Sequence, residues 1–177
     1  MEKELEQIFE LETEYKYDEA FLRYKHLLNS NHIDFDIWKY YYFFLWSMLE
    51  DLDNDFTILK KSNLKEELIN ELEFGRRKYV NIAEFNFIVG YTISIFPYEF
   101  GDYIEFENIG KNFLKAANKM DTQNSLYRMA VLGNTENLSN DERNEYEELR
   151  PKVSKQISEN YSGKGILNEY YRSVFIR

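Results

Sequence analysis

The stretch Ile37-Trp38-Lys39-Tyr40-Tyr41-Tyr42-Phe43-Phe44-Leu45-Trp46-Ser47-Met48-Leu49 decides the fold. Ile37, Tyr40, Tyr41, Phe44, Leu45, Met48 and Leu49 recur at the i, i+3, i+4, i+7 spacing of a single helical face, sustained over three turns. Trp38, Tyr42, Phe43 and Trp46 fill the opposite side. A helix apolar on both faces is normally buried on both faces, so this segment predicts a central helix with other helices packed around it. Asp34 or Asp36 stands where a capping carboxylate is needed. The aromatic run reads as core rather than as a ligand cage, because its spacing suits helix packing.

Working outward, the same period recurs. Leu5, Ile8 and Phe9 begin a stripe that ends near Tyr15, and Ala20, Phe21, Tyr24, Leu27 and Leu28 form another. Ser62 is placed to cap a helix carrying Leu64, Leu68 and Leu72, and Gly75 to end it. Phe85 to Phe96 reads two ways: alternation at Phe85, Phe87, Val89, Tyr91, Ile93 and Ile95 fits a strand, while Phe85, Ile88, Val89, Thr92 and Phe96 make a helical face. A lone strand has nothing to pair with, so we read a buried helix that stops before Pro97.

Phe106, Ile109, Phe113, Ala117 and Met120 predict a further helix, and Asp121 the cap of the next, which ends near Gly133. Ser139-Asn140-Asp141-Glu142 has the form of a capping box. The stripe Tyr146, Leu149, Val153, Ile157, Tyr161 crosses Pro151, where a kink or two abutting helices are expected. Ser162-Gly163-Lys164-Gly165 reads as a hinge before a last helix with Leu167, Tyr170, Tyr171 and Val174. The expectation is all-α: one domain over residues 1–177, with about eight or nine helices in antiparallel hairpins. Tyr17-Asp18-Glu19-Ala20, Tyr24 and Leu28 are similar to the second helix of a tetratricopeptide unit, but no regular repeat follows.

Composition narrows the function. The 177 residues carry 22 bases and 32 acids, a net charge of −10, with 18% aromatics and no Cys. The acidity argues against direct binding of nucleic acid or of an anionic membrane, and the aromatics argue against disorder. Without Cys there are no disulfides, thiol nucleophiles or thiolate metal sites. No basic leader with an apolar run is visible and no apolar run reaches spanning length, so the chain reads as cytoplasmic and soluble.

Catalytic patterns fail one by one. His26 and His32 lie too far apart to share a helix face. Asp51-Leu52-Asp53-Asn54-Asp55 begins like a calcium loop, yet Phe56 and Ser62 stand where Gly and Glu are required. Gly163-Lys164-Gly165 lacks the remainder of a phosphate loop. Arg76-Arg77-Lys78 sits at a helix end and suits the helix dipole. The expectation is a non-enzyme with no cofactor or metal. The segment Phe96-Pro97-Tyr98-Glu99-Phe100-Gly101-Asp102-Tyr103 is aromatic, acidic and helix-breaking; it reads equally as a packed interhelical turn and as a protein-binding surface.

Three stretches carry a resemblance: Trp38 to Trp46, Gly90-Tyr91-Thr92-Ile93-Ser94-Ile95-Phe96-Pro97-Tyr98-Glu99-Phe100-Gly101, and Tyr161-Ser162-Gly163-Lys164-Gly165-Ile166-Leu167-Asn168-Glu169-Tyr170-Tyr171-Arg172. With them the chain resembles the immunity proteins of bacterial polymorphic and contact-dependent toxin systems. That resemblance implies a non-enzymatic protein that binds one cognate toxin, often a nuclease, and blocks its active site; a nuclease site is basic because it must hold phosphate, which suits an acidic partner. The candidate contacts are Asp51, Asp53 and Asp55 in one loop and Tyr98, Glu99, Asp102, Tyr103 and Glu105 in another. For each carboxylate, a solvated surface role is the alternative. The competing reading of the whole chain is a helical-hairpin adaptor or regulator that takes peptides in a groove.

Overall fold

The computed structural model describes residues 2–30, 34–50 and 63–176. Among these residues it has nine α-helices and no strand: α1 Glu2–Thr13, α2 Tyr17–Ser30, α3 Phe35–Glu50, α4 Leu64–Lys78, α5 Ala83–Ile95, α6 Tyr103–Met120, α7 Ser125–Gly133, α8 Asn140–Asn160 and α9 Ile166–Phe175. One 3-10 turn, Pro97–Glu99, stands between α5 and α6. The all-α reading holds, and the helices form irregular hairpins rather than an array. The described chain divides into two compact units. One comprises Met1–Lys78 with Gly163–Tyr170, the other Tyr79–Ser162 with Tyr171–Arg177.

In the first unit α3 is the core. Its residues Ile37, Trp38 and Tyr41 to Trp46 are all buried, and each large apolar side chain so placed contributes about 1.5–3 kcal/mol relative to exposure. Its faces meet different neighbours. Tyr40 packs edge-on against Phe9 of α1, with ring centres 4.7 Å apart, and Tyr41 and Phe44 lie 5.5 and 5.4 Å from Tyr24 of α2. The Trp38 indole N–H donates to the Glu71 carbonyl of α4 at 3.2 Å, and the Tyr41 hydroxyl to Glu67 at 2.9 Å. Phe43 and Trp46 meet Tyr170 of α9 at 5.3 and 5.6 Å. Ala20, the small residue of the tetratricopeptide-like stretch, is fully buried.

Asp34 is the residue that starts α3: its carboxylate accepts the backbone N–H groups of Asp36 and Ile37. The proposed cap Ser62 lies outside the described residues. Asn63 caps α4 through the Glu66 N–H. Gly75 does not end that helix, which runs on to Lys78 with Gly75 buried inside it. A glycine ends a helix when the chain must turn left-handed; Gly75 instead lies within the helix, buried.

The second unit is built on α5 and α6. Every residue from Phe85 to Ile93 is buried, which explains why the segment reads as strand and helix alike: no exposed face imposes a period. The helix stops at Ile95, before Pro97 as expected. α5 and α6 cross at two glycines. A Cβ on Gly90 would lie 2.7 Å from the Leu114 backbone nitrogen and 3.0 Å from the Gly110 carbonyl, and one on Gly110 would lie 2.7 Å from Ser94 Oγ. The two backbones are therefore in direct contact.

Asp121 does not cap α7; it closes α6, and Asn124 caps α7 by accepting from the Leu126 and Tyr127 N–H groups. Gln156 of α8 donates to the Asn124 side chain at 2.9 Å, and Arg128 binds Glu145 with two hydrogen bonds of 2.7 and 2.6 Å. The capping box at Ser139 and Glu142 is formed. α8 continues through Pro151 as one helix rather than two.

Candidate protein-binding surface

Pro97 starts the turn that ends α5, and Phe100 is drawn inward: it is buried and stacks on Phe106, with ring centres 6.1 Å apart. That stacking requires Gly101, since a Cβ there would lie 2.4 Å from the Phe106 ring. Asp102 then starts α6 by accepting the Glu105 N–H at 3.0 Å. With Pro97, Phe100 and Phe106 holding the inside of the turn, its other large side chains face out. Tyr98 is 48% exposed, Tyr103 54% and Ile104 68%.

Carboxylates flank these three side chains. Asp102 and Glu105 are exposed, and Glu99 and Glu107 half-buried. Glu107 is paired with Lys111 at 3.2 Å. From Tyr79 to Gly110 the sequence has five acids and no Lys or Arg, so no base of that stretch offsets the charge. An exposed apolar cluster with a polar rim is the usual anatomy of a binding surface.

Five of the candidate residues, Tyr98, Glu99, Asp102, Tyr103 and Glu105, thus share one corner of the second unit. Their roles differ, because the Asp102 carboxylate is engaged as a helix cap. The packed-turn reading describes Phe100, which is buried, whereas Tyr98 and Tyr103 are exposed. Asp51, Asp53 and Asp55 lie outside the described residues. Ile104 was missed by the sequence reading, although a signal exists: it falls off the Phe106, Ile109, Phe113 stripe and so must point away from the core.

Elsewhere, His26 is exposed on α2 beside a shallow groove lined by Ile8, Leu22 and Leu27. His32 lies outside the described residues. Among those described, no three His, Asp or Glu side chains converge as a metal site, and no helix is long and apolar enough to cross a membrane. Arg76, Arg77 and Lys78 are exposed in the last turn of α4, with Arg76 paired to Glu73 at 2.8 Å. No protein-family model, curated protein or solved structure matches this chain.

Proposed function

We propose that the protein is a non-enzymatic immunity protein that binds a cognate bacterial toxin, a basic nuclease domain, and occludes its active site through the corner at Tyr98 to Glu105. The observation that carries this reading is the exposure of Tyr98, Tyr103 and Ile104 among carboxylates, in a stretch of 32 residues without a base. A nuclease cleft is positively charged because it must hold phosphate. An acidic partner is steered toward such a cleft, and complementary charge raises the association rate and fixes orientation. Tyrosines add affinity at low entropic cost, since they bury a large rigid ring and keep one hydroxyl for a hydrogen bond.

One observation favours the adaptor reading. Ala20, the small residue of the tetratricopeptide-like stretch of α2, is fully buried, and Leu22 stands half-exposed at the groove lined by α1 and α2. Growth separates the two. Cells producing the toxin encoded beside this chain should survive when the chain is co-produced. Death of those cells despite soluble protein would reject immunity and leave the adaptor.

A further inference from the structure

Among the described residues of the first unit, Glu12 is an acid buried as a whole residue, only 4% exposed. It stands in the last turn of α1 and joins two distant parts of the chain. The Tyr24 hydroxyl of α2 donates to its Oε1 at 2.8 Å, and the Ile166 N–H, at the first residue of α9, donates to its Oε2 at 2.9 Å. Ile166 is delivered there by the hinge. Gly165 adopts φ +101°, a conformation suited to glycine, and a Cβ on it would lie 2.7 Å from the Phe9 ring.

We propose that Glu12 is a proton-operated latch that holds the first turn of α9 against α1 and α2. The groups around it come from every neighbouring element. Tyr24 reaches it from α2, with Tyr40 of α3 behind that hydroxyl, and Glu169 faces it from α9 as a like charge. In the connection, Lys164 lies 3.9 Å from Glu10 rather than against Glu12. Among the described residues, the groups that perturb Glu12 are Ile166, Tyr24 and Glu169, none of them a cation.

Protonation leaves both hydrogen bonds in place. The neutral acid can donate its O–H to the Tyr24 oxygen, since a phenol both donates and accepts, while its carbonyl oxygen still accepts from Ile166. Ionisation instead buries an unpaired anion near Glu169, a cost that two donors and the start of α9 offset only in part. Burial accordingly pushes the Glu12 carboxyl up from 4.5 to about 7, with Glu169 adding to the rise and the Ile166 and Tyr24 hydrogen bonds opposing it. Once the turn is released into water, the carboxyl returns to the ordinary range.

The sign follows from linkage. The latched state binds the proton more tightly than the released state, so closure is strongest below the released value and weakens as pH rises through the window to about 7. Above that, the opening equilibrium levels off, having grown roughly 300-fold.

Native-state amide exchange, corrected for intrinsic rates, reads this directly. The Glu169 amide, bonded to the Gly165 carbonyl at 3.0 Å, should lose up to roughly 300-fold in protection from acid to neutral pH and then level off. Glu12→Gln, whose amide can make both hydrogen bonds without charge, should abolish the dependence. A wild-type profile flat across the window, or an equal slope in Glu12→Gln, would overturn the latch. If that variant does not fold, a carbon-13 titration of the wild-type Glu12 carboxyl decides: a midpoint near neutrality supports the latch, and one in the ordinary carboxylate range overturns it.

Discussion

Replacing Gly90 with alanine tests whether the α5–α6 crossing is as close as described, and with it the scaffold of the candidate surface. In a helix, alanine is preferred over glycine by about 1 kcal/mol, so propensity alone favours the variant. The added methyl, however, meets the Leu114 nitrogen at 2.7 Å, Leu114 Cγ at 2.9 Å and the Gly110 carbonyl at 3.0 Å. Two of those atoms are backbone and cannot rotate away. α6 must retreat by roughly 0.7 Å to restore ordinary contact, opening the interface along its length.

Overpacking of this kind costs about 1–3 kcal/mol. The upper end applies, because α5 is enclosed by buried residues over its whole middle. After the propensity gain, the expected net loss is about 2 kcal/mol, or roughly 4–8 °C in Tm for a chain of this length. The control is Gly133→Ala at the exposed end of α7, where the nearest atom would be Tyr146 Cε2 at an unstrained 3.6 Å. That variant should gain up to about 1 kcal/mol. Urea unfolding followed by circular dichroism gives both values. A Gly90→Ala protein as stable as the parent, or shifted in the same direction as Gly133→Ala, would refute the close crossing.

Two further outcomes follow from the helix ends and from Glu12. Ser139→Ala should cost about 1 kcal/mol by removing the capping box of α8, and Asn124→Ala more, near 2 kcal/mol, because the Gln156 hydrogen bond is lost with the cap; urea midpoints order the two. Global stability should fall as pH rises toward 7, by up to about 3 kcal/mol from Glu12 alone, since its folded pKa is the raised one. Glu12→Gln should then exceed the parent in urea resistance at pH 8 and match it more closely at pH 5.

Most of the architecture is legible from spacing. The heptad-like pattern of Ile37 to Leu49 and the capping box at Ser139 are local features, so three or four neighbouring residues determine them. The misreadings arise where a residue type serves two purposes. Gly75 reads as a helix end yet lies buried inside α4, and only the close approach of α6 shows why Gly90 must be small. Asp121 and Asn124 are both good caps three residues apart, and Gln156, more than thirty residues later, engages Asn124.

Pro151 reads as a kink or as the junction of two helices, and α8 runs through it as one helix with Leu149 and Val153 both buried. The junction of Glu12 with Ile166 has no sequence signal, because one partner is a backbone N–H 154 residues away. At the candidate surface the composition of Phe96 to Tyr103 was readable, whereas the division of labour between buried Phe100 and exposed Tyr98 required the turn geometry. Ile104 was readable in hindsight from its place off the stripe.

The central claim is that the corner at Tyr98 to Glu105 engages a basic toxin. Its most direct test is the association rate of this protein with the purified toxin domain encoded beside it, measured by stopped flow for the parent and for a Tyr98→Ser, Tyr103→Ser, Ile104→Ser variant. Raising salt from about 0.1 M to about 1 M shortens electrostatic reach from about 10 Å to about 3 Å. The parent rate should fall at least roughly tenfold across that range. The variant, which keeps every carboxylate, should retain the salt dependence and lose affinity through faster dissociation. A parent rate indifferent to salt, or a variant that dissociates no faster than the parent, would contradict the claim.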